Sequence, residues 1–344
     1  MKKLFALILA VVMVVALAAA TPAASADTSV ADDPPIHLTV VSAGNTADSA
    51  ISKGYDKFCE LMEEYSGGSI TCDCYYGSEL GSMQVCLDGV FAGTIDITSC
   101  GPSYLAGWSP EIQALELPFV WETVEEARAT LDSEIGHKLG WENMEGSGAF
   151  VLTYFENGMR QIMNSKKPIL TPEDLVGMKM RCAPSQTQLI EWESYGAIPT
   201  AIDFTETFTA LQNGTADGNA NTVVLMNDTK FYEVQKYMTL INCEYAPITV
   251  VVSEATWAKL TEAQKEVVMK AAEEARAFER ELTDSLIETA LQNMIDNGVE
   301  VTYMDEIDRD AFKAKVQPVY DYFAEQVGSD AILKEIDEFV ASLS

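Results

Sequence analysis

Two of the six arginines in this chain stand beside a turn or at the end of an apolar run, where a side chain can point into a binding site. Arg160 follows the turn-forming pair that begins at Asn157, and Arg181 comes just before a Cys-Ala-Pro sequence. A guanidinium held at such a place can grip a carboxylate with two parallel hydrogen bonds. The rest of the chain is strongly acidic, so a fixed positive group stands out as an anion anchor. These residues predict a site for a small carboxylate, with Arg181 as its principal contact.

A second polar segment, residues 204–221, supplies groups of a different kind. It opens with Phe204, which fits either an apolar wall of a binding site or the hydrophobic core, and it closes with Asn221. The amide of an asparagine carries hydrogen-bond donors as well as an acceptor. Asn221 is therefore a candidate partner for the same carboxylate.

The order and spacing of these segments resemble the solute receptors of TRAP (tripartite ATP-independent periplasmic) transporters. The resemblance begins near Ile36, includes the motifs Ser66-Gly67-Gly68 and Leu117-Pro118-Phe119, and continues through residues 230–237 into the last helices. It implies an α/β, two-lobe periplasmic binding protein fold with a hinge, a central cleft and a long helix along both lobes. It also implies a receptor that delivers a small organic carboxylate to the membrane permease subunits of a TRAP transporter.

Three site residues carry over from the resemblance by position. In the resembled family, the arginine that matches Arg181 holds the ligand's carboxylate bidentately, and the asparagine that matches Asn221 hydrogen-bonds the same group. The alternative for Arg181 is a surface ion pair, which forms easily in so acidic a protein. Arg160 matches a second family arginine that lines the site, and it either touches the ligand or supports Arg181 from behind. Asn219 and Ala220 depart from the glutamine and glutamate that are usual there.

One further departure concerns the character of the ligand. The resembled family often has a charged run after the Leu-Gly-Ser turn, with a glutamate that meets polar ligands. Here that run is Met83-Gln84-Val85. The change argues against a hydrophilic ligand of the sugar-acid type and indicates a less polar one.

The elements before residue 100 explain how a site can be positioned. Apolar periodicity predicts strands over 37–42, 70–76 and 95–99, with helices over 51–65 and 83–92 between them. This β-α-β-α-β order predicts a parallel sheet, and ligands bind beyond the carboxyl ends of such strands. Asn45 falls at one of these ends, and the turn that follows Ser99 falls at another.

The remaining elements predict two lobes. The turn at Asn157 is the predicted crossing, and a β-branched strand over 246–253 returns to the first lobe. Lobe I then comprises residues 36–156 and about 247–280, and lobe II comprises 157–246 and about 281–344. A helix that begins after Thr261 meets no Gly or Pro until Gly298, and it would span roughly 50 Å. The alternative is two helices with a break near residues 278–282.

The N-terminus predicts export. Lys2 and Lys3, the apolar run over 4–20 and the small residues at 24–26 make a signal peptide of residues 1–26, followed by a leader over 27–35. A membrane anchor is the alternative for the apolar run. Removal of the two lysines leaves 53 acidic residues against 20 basic ones, a net charge of −33. Such a surface repels nucleic acid and anionic lipid, so we expect neither as a partner. From the signal peptide we expect an extracytoplasmic location.

The sequence offers little for metal, cofactor or catalytic chemistry. Of the seven cysteines, Cys72 and Cys74 alternate along a predicted strand, which indicates packing rather than a metal site. Their odd number leaves at least one thiol unpaired. The two histidines, His37 and His137, are far apart, and we find no Gly-rich phosphate loop. We therefore expect neither metal nor cofactor and no enzymatic activity.

Two other functions fit the same sequence. The fold could present its ligand to a membrane sensor. The protein could also be an exported hydrolase, in which a pair among its 53 acidic residues catalyses glycoside hydrolysis. Pairs of acids are expected by chance in such a composition, so the hydrolase is the weaker alternative.

Overall fold

Short strands and amphipathic helices alternate through the first third of the chain, because apolar residues recur there with the periods of strands and helices. A computed structural model describes residues 29–343 and places all their strands in one sheet. The predicted signal peptide lies outside the described residues, as do the first two residues of the predicted leader. No helix between residues 29 and 343 has both the length and the apolar character that a membrane crossing requires.

The nine strands of residues 29–343 are β1 (Ile36–Ala43), β2 (Ile70–Gly77), β3 (Ile97–Cys100), β4 (Ala149–Asn164), β5 (Lys179–Cys182), β6 (Ile198–Ala201), β7 (Gly218–Thr222), β8 (Tyr237–Ser253) and β9 (Glu300–Thr302). The α-helices of the same residues are α1 (Ala50–Ser66), α2 (Met83–Phe91), α3 (Val124–Leu131), α4 (Glu134–Gly140), α5 (Gln186–Ser194), α6 (Thr207–Asn213), α7 (Val223–Asp228), α8 (Glu254–Trp257), α9 (Glu262–Asp296), α10 (Arg309–Lys313), α11 (Gln317–Val327) and α12 (Ala331–Ala341).

The sheet has the order β2-β1-β3-β8-β4-β7-β5-β6, and β9 pairs with β8. We call β2, β1 and β3 the first half-sheet and β7, β5 and β6 the second half-sheet. Within each half-sheet the strands run parallel, as the β-α-β order predicts for the first. The sheet as a whole is mixed, because β8 runs antiparallel to both β3 and β4.

Two long strands join the half-sheets. β4 has 16 residues and β8 has 17, and they pair from Ala149 beside Ser253 at one end to Asn164 beside Tyr237 at the other. The prediction of a turn at Asn157 was wrong, because the strand continues through this point. The register shifts between Glu156 and Met159, so a β-bulge takes the place of a turn, with Gly158 at φ 85°.

The long helix is continuous. α9 has 35 residues, and Thr261 and Gln264 form a capping box at its start. The alternative of two helices with a break near residues 278–282 was therefore wrong. The first part of α9 packs on α1 and β4 and its last part on α7, so it runs along both half-sheets. Alanines on its buried face, such as Ala271 and Ala275, allow α1 to lie close.

Other elements differ from the prediction in detail. A capping box of Thr123 with Glu126 predicts a helix that runs to about Leu139. That helix ends at Leu131, and a second one begins after Ser133, whose Oγ accepts a hydrogen bond from the backbone of Ile135. The sequence predicts two amphipathic helices at the end of the chain, whereas three, α10 to α12, close the described residues. The core has two parts, a large cluster around the first half-sheet, β4 and β8, and a smaller one beneath α6, α7 and the end of α9.

Candidate functional site

The carboxyl ends of strands from both half-sheets meet around one cavity. Its volume is about 570 Å³ with the mouth included. The walls come from the ends of β1 and β3 on one side, from β5 and β7 on the other, and from β4 between them. All six residues that the sequence singles out lie on these walls: Asn45, Asn157, Arg160, Arg181, Phe204 and Asn221.

Arg181, on β5, is buried to 4% exposure. Its Nε and Nη2 donate to the carbonyl oxygen of Ile202 at 3.0 and 2.8 Å, which fixes the guanidinium plane. Within residues 29–343, each of the other five arginines is within 4 Å of a carboxylate, and Arg181 is not. Burial without a counter-ion lowers the pKa of Arg181 to about 10. The cavity therefore contains a fixed, buried cation that has no carboxylate of residues 29–343 within 4 Å.

Arg160, on β4, is held quite differently. Its Nη2 lies 3.3 Å from Glu116 Oε1, and its Nε lies 3.2 Å from Glu244 Oε1. The carboxylate of Glu116 also accepts a hydrogen bond from the backbone of Ser103. Burial raises the pKa of Glu116 and Glu244, and it raises that of nearby Glu191 to about 7. Several carboxylates thus share the charge of Arg160.

The three asparagines offer amide groups to the cavity. Asn221 on β7 is 3% exposed, and its Oδ1 accepts a hydrogen bond from the backbone of Thr222. Its Nδ2 has no hydrogen-bond partner among the described residues, and this leaves a donor on the cavity side. Asn45, just beyond β1, donates from Nδ2 to the carbonyl of Ala43. Asn157 lies at the bulge of β4 and is half-buried.

Phe204 closes one side of the cavity by reaching across to the first half-sheet. A Cβ added to Gly44 would lie 3.1 Å from Phe204 Cδ1, so the aromatic ring would have to shift by a few tenths of an ångström to make room for it. Gly44 also has φ 77°, which glycine adopts without strain. The Arg181 guanidinium carbon lies 5.9 Å from the centre of the Phe204 ring. The aromatic therefore forms a wall beside the cation.

Tyr104 and Glu116 are among the cavity residues that the sequence did not single out. Tyr104 lies two residues beyond Pro102, in the turn that was placed at the end of a strand. Its buried hydroxyl has no hydrogen-bond partner in residues 29–343, and burial raises its pKa to about 12. Glu116 directly precedes the Leu117-Pro118-Phe119 motif, but nothing in that sequence indicates an ion pair with Arg160.

The chain is similar to known solute-binding proteins. Residues 41–326 match the family model described as bacterial extracellular solute-binding protein, family 7. The 2,3-diketo-L-gulonate-binding periplasmic protein of Escherichia coli is 34% identical over 284 residues, which cover 82% of this chain and 86% of the relative.

Solved structures give the same result for the fold. A TRAP periplasmic solute-binding protein from a Polaromonas species, bound to D-erythronate, has a TM-score of 0.83 at 30% identity and covers 87% of this chain and 97% of that one. The sugar acid-binding protein of Advenella mimigardefordensis, in complex with galactonate, has a TM-score of 0.85 at 28% identity, with coverages of 91% and 100%. The predicted two-lobe fold is thereby confirmed.

Proposed function

The chain belongs to family 7 of the bacterial extracellular solute-binding proteins, and from this premise we propose that it captures a small organic carboxylate and delivers it to a TRAP-type membrane permease. Relatives in this family carry names of solute-binding proteins rather than of enzymes. Export by the signal peptide of residues 1–26 puts the receptor on the extracytoplasmic face of the membrane, where the ligand is met.

The observation that carries the proposal is the unbalanced charge of Arg181. A buried cation without a counter-ion is unfavourable, and a ligand carboxylate that enters the cavity removes this penalty. Because Nε and Nη2 already donate to Ile202, the guanidinium is fixed in orientation before the ligand arrives. The remaining donors of Arg181 can then meet a carboxylate without further loss of side-chain freedom.

The other polar groups complete the binding of the carboxylate end. The Nδ2 of Asn221 and the hydroxyl of Tyr104 are donors without partners in the described chain, and both line the cavity. Arg160 acts as a positioning residue, because Glu116 and Glu244 already engage its charge. Asn45 and Asn157 serve the more distant polar atoms of the ligand.

The ligand is expected to be compact and only sparsely hydroxylated. Apolar side chains form part of the cavity wall, namely those of Met83, Phe204, Leu225 and Ile248. A hydroxyl group that faces such a wall loses its hydrogen bonds to water without replacement. The solved relatives bind erythronate and galactonate, which are polyhydroxylated. Because the cavity wall of this receptor is partly apolar, we expect it to prefer short acids with fewer hydroxyls than these.

Binding is completed by closure of two lobes. We assign residues 36–156 and about 247–280 to lobe I, and 157–246 and about 281–344 to lobe II. The connections between them are β4, β8 and α9, and the bulge at Gly158 is the natural point of bending in β4. Phe204 of lobe II lies beside Gly44 of lobe I and so joins the lobes over the cavity. Hinge closure of this kind encloses the ligand and presents one closed surface to the permease.

The test is a thermal-shift screen of refolded, ligand-free protein against organic acids. An acid at 100 times its Kd raises the stability by about 2.7 kcal/mol. The Arg181→Ala variant should bind the best acid about 30- to several-thousand-fold more weakly, since loss of one partner of a buried charge pair costs about 2–5 kcal/mol. Calorimetric titration measures the change.

Arg276→Ala is the matched control. Unlike Arg181, Arg276 has an ion-pair partner, because its Nη1 lies 3.2 Å from Asp132 Oδ1, and it is not part of the cavity wall. This variant should retain the affinity of the parent protein. A folded Arg181→Ala protein whose affinity falls less than threefold would overturn the site, and a parent protein that binds no acid of a broad panel would overturn the function.

A further inference from the structure

Three of the seven cysteines lie together at the edge of the sheet. Cys59 is on α1, and Cys72 and Cys74 share one face of β2, the edge strand. The Sγ atoms of Cys59 and Cys74 are only 3.1 Å apart. All three are half-buried, whereas the remaining four cysteines are fully buried: Cys86, Cys100, Cys182 and Cys243. The irregular spacing of the seven cysteines predicts that most of them are small buried hydrophobes. This holds for these four and leaves the cluster unexplained.

The geometry of the cluster suits a covalent bond between two of its sulfurs. A disulfide has an S–S distance of about 2.0 Å, so Cys59 and Cys74 need to approach by only about 1 Å. Within residues 29–343, no group of three or more His, Cys, Asp or Glu side chains is placed to hold a metal ion, which leaves metal binding without support. Hydrogen bonding to Cys72 and Cys74 raises the pKa of Cys59, while the hydrogen bond with Cys59 lowers that of Cys74.

We infer that Cys59 and Cys74 form a disulfide that ties α1 to the edge strand and leaves Cys72 as a free thiol. The oxidant is an external disulfide, such as oxidised glutathione or the active-site disulfide of a thiol oxidase. The Cys74 thiolate attacks that disulfide and expels one external thiolate, which takes up a proton. The Cys59 thiolate then attacks the Cys74 sulfur of the mixed disulfide and expels the second. Two protein thiols are oxidised, and one external disulfide is reduced to two thiols.

The inference rests on the extracytoplasmic location proposed above, because disulfides persist in oxidising compartments. It does not depend on which ligand is bound, since the cluster is not part of the cavity wall. The bond would close a loop between residues 59 and 74 and fix β2, which has a neighbouring strand on one side only. It would also hold α1 in the position in which it packs against α9.

Thiol counting gives the first test. Folded protein is incubated with oxidised glutathione, denatured, and titrated with a thiol reagent. We expect five free thiols of the seven, and all seven after reduction by dithiothreitol. We also expect reduction to lower the Tm by about 5 °C, because a closed loop of this length restricts the unfolded chain.

Peptide mapping identifies the pair. Trypsin cannot separate these cysteines, because no Lys or Arg lies between Lys57 and Arg128. Cleavage after glutamate at Glu60, Glu63 and Glu64 separates Cys59 from β2, and cleavage before Asp73 separates the two cysteines of that strand. The expected product joins the Cys59 peptide to the Cys74 peptide, with a mass two hydrogens below the sum.

Serine variants supply the controls. Cys72→Ser should keep the link and its Tm response to dithiothreitol, and Cys59→Ser should lose both. Seven free thiols after treatment with oxidised glutathione would overturn the inference, and so would a glutathione adduct without a link, or a link from Cys59 to Cys72. Since the mapping uses the parent protein, a variant that fails to fold does not prevent the decision. Binding of an acid is measured separately, so failure of the disulfide and failure of the receptor function are distinguishable.

Discussion

Glu279 and Glu156 form a buried acidic pair at the centre of the molecule, and neither side chain is exposed to solvent. Glu156 binds Arg128 through two hydrogen bonds and accepts another from the hydroxyl of Tyr245. One carboxylate oxygen of Glu279 accepts a hydrogen bond from the backbone of Glu156 at 3.1 Å. Burial, with the nearby charge of Glu156, raises the pKa of Glu279 to about 8. Glu279 therefore holds a proton at neutral pH.

This pair predicts that stability falls as the pH rises above neutrality. The folded-state pKa of Glu279 lies above its unfolded value, so its stabilising contribution is complete below the unfolded pKa and is lost as the pH rises through about 8. Between pH 6 and pH 8, the free energy of unfolding should decrease by about 2 kcal/mol from this group. In Glu279→Gln this part of the decrease should be absent. Urea denaturation of ligand-free protein at pH 6, 7 and 8 measures it.

Glu281→Gln provides the comparison for that experiment. It changes an exposed glutamate of the same helix, so the pH dependence of the parent protein should be retained. Equal pH dependence in the parent protein and Glu279→Gln would contradict the assignment. Glu191, whose burial raises its pKa to about 7, adds a decrease of the same sign at lower pH in all three proteins.

At the scale of residues, the side chains that stand in recognisable motifs could be predicted from the sequence. The buried carboxylates that pair with them could not. Arg181 and Asn221 stand in recognisable motifs at strand ends, and the structure brings both to the cavity. Glu116 and Glu244 reach Arg160 from distant parts of the sequence, and a chain with 53 acidic residues gives no means of choosing them. The assignment of any of these residues to ligand binding stays a prediction.

At the scale of elements, the bulge in β4 has a measurable cost if its glycine is replaced. Gly158 has φ 85°, and no atom lies within 4 Å of a Cβ added there. Gly158→Ala should therefore destabilise the protein through backbone strain alone, by about 1–2 kcal/mol. Urea denaturation at one pH measures the change in the free energy of unfolding.

Gly107→Ala is the control for the bulge. Gly107 also has open space around it, but its φ is not in the left-handed region. Its replacement should change the free energy of unfolding by much less. If both variants lower the free energy of unfolding by the same amount, backbone strain at position 158 is not the cause of the loss.

The same elements show why the sequence predicted some boundaries and not others. Local signals determine α9, because a capping box starts it and no Gly or Pro interrupts it before Gly298. The pair Asn157-Gly158 is typical of a turn when seen alone. Here β8 pairs with β4 on both sides of it, so tertiary pairing overrides the local preference and produces a bulge. Strand direction in β8 likewise depends on a distant partner.

At the scale of the whole molecule, the net charge opposes the approach of an anionic ligand. Residues 27–344 carry a net charge of −33, and within residues 29–343 carboxylates already pair with five of the six arginines. Salt shortens the Debye length from about 30 Å at 0.01 M to about 8 Å at 0.15 M. The association rate constant for a carboxylate should therefore increase with salt over this range, by roughly tenfold.

Stopped-flow measurement of tryptophan fluorescence with the best acid of the screen gives this rate constant. Potassium chloride in place of sodium chloride serves as the control, because screening depends on ionic strength and not on the cation. A rate constant that falls with salt would show that the local field of Arg181 outweighs the charge of the whole molecule.

The position of β8 in the sheet also determines when a binding site can exist during synthesis. Without β8, which ends at Ser253, the sheet order separates into β2-β1-β3 and β4-β7-β5-β6. The two walls of the cavity belong to these separate pieces. In a nascent chain whose synthesis has not yet reached Ser253, β8 is therefore incomplete, and no complete strand connects the two pieces that carry the cavity walls. A small carboxylate then has no site through which it could stabilise such an unfinished chain.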